Sequence, residues 1–149
     1  MKIKNSSKEK IVNSTCLLLV RHFRTLMELN NEGYGFNTRV FSHILHPEKE
    51  FVFAGYSDKV KDDSQIHPEH VVPCATLILE CKRLIAAGTH TDEEIADFLR
   101  KHWKLVFITK EEQRLLDFEL GYRSTMPEGW TFENGDTFER LHRANITLR

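Results

Sequence analysis

A chain of 149 residues, 40% hydrophobic and 29% charged, has the balance of a folded domain of ordinary size and excludes a disordered or fibrous polypeptide. A formal net charge of −1 excludes recognition of nucleic acid by overall charge, so any phosphate contact has to be local. Cys16, Cys74 and Cys81 are odd in number and lack CxxC spacing, which points to reduced thiols in a cytoplasmic protein rather than a disulfide framework.

One local bias is present at the start, where residues 1–24 carry Lys2, Lys4, Lys8, Lys10, Arg21 and Arg24 against Glu9 alone. The apolar run Cys16–Val20 is too short to span a bilayer and lacks a small-residue cleavage site, so no membrane association is expected.

Residues 1–7 are polar and are expected to be flexible. A helical period begins near Lys8, with Ile11, Thr15, Leu18, Leu19, Phe23, Leu26 and Leu29 at three- and four-residue steps, and Gly33 and Gly35 stop it. A second helix is predicted over Asn37 to Leu45, capped by Asn37, with Pro47 beyond its end. Phe51-Val52-Phe53-Ala54 is aromatic and β-branched and reads as a strand, and Gly55 to Ser64 as a loop marked by Asp62-Asp63-Ser64. An extended stretch follows to Pro73, since residues before proline favour β or polyproline geometry.

Pro73 opens a helix over Cys74 to Ala87, stopped by Gly88, with Leu77, Ile78, Cys81, Leu84 and Ile85 as its buried stripe. Thr91 and Glu94 form a capping box for a helix from Asp92 to about Trp103, acidic at its start and basic at its end. Leu105-Val106-Phe107-Ile108 is a continuous apolar strand. A second capping box, Thr109 with Glu112, opens a helix to about Leu120 that Gly121 ends. Asp136 with Glu139 predicts a last helix, Thr137 to Ala144, with Asn145 after it. Trp103, Trp130, Phe132 and Phe138 are expected in the core.

The expected architecture is a single α+β domain over 1–149, predominantly helical. A helical part covers 8–46, and a part covering 51–149 carries a small β element with strands near 51–54, 67–72 and 105–108.

Chemistry concentrates in His67-Pro68-Glu69-His70-Val71-Val72-Pro73. Imidazoles bind borderline transition metals and a carboxylate suits Mg²⁺ or Mn²⁺. Adjacent residues of a strand project to opposite faces, so Glu69 and His70 converge on one point only if a bulge or the strand's end turns one of them. The competing reading is a set of ordinary polar residues leading into a helix. His43 and His46 repeat the spacing of His67 and His70, which allows a four-His zinc site, although structural zinc sites normally use thiolates. Cys74 and Cys81 read as core thiols, and Asp92, Glu93, Glu94 and Asp97 as a solvated acidic face. No glycine-rich phosphate loop is present.

Glu69-His70-Val71-Val72-Pro73 resembles the acid–His–apolar–apolar–Pro signature of HNH (ββα-metal) endonucleases. The resemblance implies that His70 is the general base activating water and that Glu69 helps to hold one divalent ion. It also implies a second strand, Leu105 to Ile108, and a helix from Thr109 carrying further ligands. Gln113 and Asp117, one turn apart, match those positions, with Gln113 standing where the family has Asn or His. His67 is a further candidate ligand. The helices between Cys74 and Trp103 become an insertion, and the zinc-knuckle cysteines of many members are absent.

The implied activity is hydrolysis of DNA or RNA phosphodiesters with Mg²⁺, Mn²⁺ or Zn²⁺. The alternative is a non-catalytic, protein-binding inhibitor or immunity-type protein, in which the motif is a structural turn or the remnant of a degenerate HNH domain.

Overall fold

Helix α1 (Asn5–Glu28) is the longest element, and its buried face is Val12, Thr15, Cys16, Leu19, Val20, Phe23 and Leu26. These coordinates come from a computed structural model, which describes residues 3–29, 35–62 and 65–149. Lys2, Gly33, Asp63 and Ser64 lie outside the described residues. The helix begins at Asn5 rather than near Lys8, inside the stretch expected to be flexible. Its buried stripe is also rotated: Ile11, Leu18 and Leu29 are exposed at 38%, 58% and 69%. A run as apolar as Cys16–Val20 satisfies two overlapping helical stripes, and packing against the rest of the chain selects the one through Val12, Cys16 and Val20.

That packing is mainly against α5 (Asp92–His102), with α4 (Cys74–Ala87) alongside. All five residues of the expected α4 stripe are buried, and Gly88 closes the helix with φ +67. The capping box of α5 is formed as predicted by Thr91 and Glu94. The acidic start of α5 is not merely solvated: Arg24 reaches Asp92 at 2.6 Å and Arg21 reaches Glu93 at 3.3 Å. Trp103 and Phe132 are fully buried in the helical core, while Trp130 packs against it part-buried. Phe138, also part-buried, packs against a second cluster under the sheet.

Two short helices, α2 (Val40–Ile44) and α3 (Lys49–Val52), lead into the sheet. The helix expected over Asn37 to Leu45 is shorter: Asn37 Oδ1 accepts from the backbone N–H of Arg39, the bond a cap makes, but residues 38–39 form a turn and the helix proper is Val40–Ile44. Phe51 and Val52 belong to α3, so strand β1 is Phe53–Tyr56 rather than 51–54. Strand β2 is Ile66–His70 and β3 is Leu105–Thr109. The second strand stops before Val71 because Val71 and Val72 turn into two different core clusters, and Pro73 has no N–H to continue a ladder.

The sheet order is β1-β3-β2, with β1 parallel and β2 antiparallel to β3. One face is covered: Val106 and Ile108 pack on Leu116 and Leu141. Leu116 belongs to a helical segment that starts as α6 (Lys110–Arg114) behind the Thr109–Glu112 capping box. It continues as a π turn (Leu115–Glu119) where an unbroken helix was expected. Leu141 lies on α7 (Glu139–Arg143), shorter than predicted: Asp136 Oδ1 accepts from the N–H of Phe138, but residues 137–138 form a turn before the helix. Asn145 follows in the left-handed region at φ +56, as its place after a helix predicted.

The chain is therefore α+β, about half helical, with a small mixed three-stranded sheet. Among the described residues no helix is long and apolar enough to cross a membrane.

Candidate functional site

The geometry of the motif follows from β2 being an edge strand. An edge tolerates Pro68, which has no N–H to donate. Five consecutive pairs, from Ile66 with Thr109 to His70 with Leu105, run without a register shift. No bulge turns either side chain. Glu69, paired with Val106, faces the helix-covered side, and His70, paired with Leu105, faces the other.

Glu69 is buried, and both its oxygens are engaged. Oε1 accepts from Arg140 Nη2 at 3.0 Å, and Oε2 stands 3.1 Å from His67 Nε2. Arg140 is itself fully buried, and its guanidinium also donates to the carbonyls of His70 (2.6 Å), Val71 (3.2 Å) and Tyr122 (2.6 Å). Burial pushes the Glu69 carboxyl up, but the His67 hydrogen bond and the Arg140 charge outweigh it and hold it below its ordinary value. Glu69 is an ionised carboxylate locked to a cation.

His70 has a different partner. Its Nε2 lies 2.5 Å from Glu48 Oε2, and the same oxygen accepts from Trp103 Nε1 at 2.7 Å. Cys74, in the first turn of α4, adjoins the imidazole as well. Burial pulls the His70 pKa down, yet Cys74 and Glu48 together raise it to about 10. His70 is thus an imidazolium near neutral pH, whereas a general base has to start neutral. Glu48 was not singled out in the sequence. The one available cue was that His46-Pro47-Glu48 repeats the His-Pro-Glu of residues 67–69.

His67, Glu69 and His70 open on a cleft of about 710 Å³, also lined by Arg39, Ser42, Cys74, Arg123 and Ser124. Gln113 and Asp117 do not line it. The segment carrying them starts beside Ile66, at the far end of β2 from His70, and returns along the covered face until Tyr122 meets Arg140. The structure brings together three of the five expected residues and leaves two apart.

A divalent ion fits these donors poorly. Each Glu69 oxygen already has a partner, and a second cation beside a buried guanidinium is repelled. The four-His arrangement is not assembled either: among the described residues the metal-capable groups that cluster are Asp136, Glu139 and His142, on the surface.

No family model, no curated protein and no solved structure matches the chain. The reading of the cleft rests on its own geometry.

The electrostatics are one-sided. Arg39 and Arg123 line the opening, while the His70 imidazolium is balanced by Glu48 and the Glu69 carboxylate by Arg140. Such a site attracts an anion.

Proposed function

We propose that the chain acts on nucleic acid, taking a phosphodiester into the cleft at the end of β2 and hydrolysing it without a metal at Glu69. The observation that carries this reading is the pair of arginines, Arg39 and Arg123, on a cleft whose acid is already spent on Arg140 and whose imidazolium is balanced by Glu48. The β2, β3 and α6 order, with α4 and α5 inserted, is also the strand–strand–helix sequence that the HNH resemblance implies.

Both imidazoles lie on an edge strand, so groups from either face reach the cleft that runs along it. His67, oriented through Nε2 by Glu69, takes the proton of the attacking water. As the water oxygen bonds to phosphorus, the bond to the leaving oxygen breaks, and His70 gives that oxygen its proton. Arg39 and Arg123 hold the non-bridging oxygens. His70 is then the acid rather than the base.

The test is cleavage of plasmid DNA and of a long RNA, with Mg²⁺ or with EDTA. Cleavage should survive EDTA, and His70→Ala should lower its rate by roughly 10² to 10⁴. Loss of cutting in EDTA would return the metal-dependent mechanism, and no cutting of either substrate would end the hydrolase reading.

A second reading has its own support. Glu69 and His70 are each bonded to groups from elsewhere in the fold, Arg140 and Glu48, as residues with a purely structural role would be. A degenerate HNH domain that binds a protein would show this, and it would co-purify with that partner while cutting nothing.

A further inference from the structure

The sheet face away from α6 and α7 is covered by the helical core at Leu105 and His70, and its uncovered part carries an aromatic platform. Phe53 and Tyr56 are 45% and 39% exposed, and Phe107 sits half-buried between them. Their rings touch one another: Tyr56 stacks on Phe107 at 5.5 Å, Phe53 meets Tyr56 edge-on at 5.2 Å, and Phe53 lies 6.0 Å from Phe107. Residues three apart on a regular strand point to opposite faces. Here the register shifts between Phe53 and Gly55, so Phe53 pairs with Leu105 and Tyr56 with Phe107, on one face. Gly55 makes this possible at φ +138, with the Arg149 carbonyl 3.0 Å from where a Cβ would stand. Ile66, 43% exposed, and Pro68, also exposed, extend the same face on β2 opposite Thr109 and Phe107.

Cations border the rings on two sides. Arg149 lies over Tyr56, 5.9 Å from its centroid. At the other end, Phe53 forms one wall of a groove of about 470 Å³ with Lys8, Arg100 and Lys104. Glu9 and Glu50 share that groove, and Glu50 is 3.9 Å from Lys8. Burial and the neighbouring Arg100 charge hold Lys104 below its ordinary pKa, so two like charges are held together where an anion would relieve both.

Exposed rings give bases a face to stack on, and flanking cations give the backbone phosphates a path. We infer that the open face of the β1–β3 pair binds single-stranded nucleic acid, bases on Phe53, Tyr56 and Phe107, and phosphates along the Arg100–Lys104 groove and Arg149. Duplex does not satisfy this surface, because its bases are already stacked on one another. The inference does not depend on hydrolysis in the cleft: binding here and cutting there fail separately.

The experiment is fluorescence anisotropy of the full chain with labelled dT20, rU20 and a 20-base-pair duplex, with circular dichroism of each variant as a folding control. Both single strands should bind more tightly than duplex, and a preference between them would show whether the sugar is read. Tyr56→Ala should weaken binding by roughly 5- to 150-fold, while Tyr56→Phe, which keeps the ring, should bind like the parent chain. Lys104→Ala should flatten the dependence on salt. Equal affinity for duplex, or unchanged binding in Tyr56→Ala, would overturn the inference. So would a concentration-dependent dimer in sedimentation that Tyr56→Ala dissolves, since the face would then be covered by a second copy.

Discussion

Arg140 is the residue on which the motif depends most. It donates to one carboxylate and three carbonyls, and those acceptors come from β2, the turn after it and the end of the π-helical segment. Replacing it with leucine leaves Glu69 buried and charged without its partner, which typically costs about 3–5 kcal/mol. We therefore expect Arg140→Leu to lower the urea midpoint sharply. Adding Glu69→Gln to that variant should recover part of the loss, because the stranded charge is gone. If Arg140→Leu alone leaves the midpoint unchanged, the ion pair is not what holds this corner. The importance of Arg140 was not legible in the sequence. It stands 71 residues from Glu69 on a short helix, and nothing local marks it as different from Arg143, which pairs on the surface with Glu139.

At the scale of elements, local signals fared best where they were redundant. Both capping boxes in the second half are formed as their spacing predicts, and the α4 stripe is buried residue for residue. The Thr109 box has a further role, because Glu112 is buried and its Oε2 accepts from Ser57 Oγ at 2.8 Å, tying α6 to the end of β1. Thr109→Ala should thus cost about 1 kcal/mol or somewhat more, within the roughly 0.5–2 kcal/mol seen for lost caps. Thr91→Ala, on a box that lies exposed, should cost less. Chemical denaturation of the two variants side by side makes the comparison, and a larger loss at Thr91 would contradict it. Elements with weak or ambiguous signals moved. Phe51 and Val52 have strand propensity but close a helical turn, and the α1 stripe shifted by one residue because its sequence permits either face.

At the scale of the whole molecule, three ionisable groups, two buried and one part-buried, shape the response to pH. His70 is raised in the fold from 6.5 to about 10, so its stabilisation is complete below pH 6.5 and is lost as pH rises toward 10. His102, packed under Trp130 and Phe132, is depressed by burial, so its contribution is present above 6.5 and lost as pH falls. Glu69, held below its ordinary 4.5, likewise loses its contribution in acid. Stability should therefore peak near pH 6.5 and decline on the alkaline side before the buried thiols Cys16 and Cys81, with an ordinary value of 9.0, begin to matter. Urea unfolding at pH 6.5 and 8.5 tests this. The parent chain should be weaker at 8.5, and Glu48→Gln should shrink the difference. An equal midpoint at both values would remove the His70–Glu48 pair as a pH-sensitive element.

The sequence by itself determined the α+β class, the helices α4 and α5, the two capping boxes at Thr91 and Thr109, the β3 strand, and the position of the ionisable cluster at residues 67–70. These are local properties, set by periodicity, capping chemistry and the pairing of side-chain types over a few residues. It also determined that Glu69 and His70 would point apart on a regular strand, a consequence of the two-residue strand period alone. What only the tertiary structure decided is which groups those side chains meet. Cys74 and Glu48, the latter 22 residues before His70, together turn an expected neutral base into an imidazolium. Arg140 occupies the carboxylate expected to hold an ion, and Gln113 and Asp117 fall outside the cleft. Protonation and ligation depend on distances of a few ångströms between residues far apart in the chain, and the packing of the sheet against its helices sets those distances.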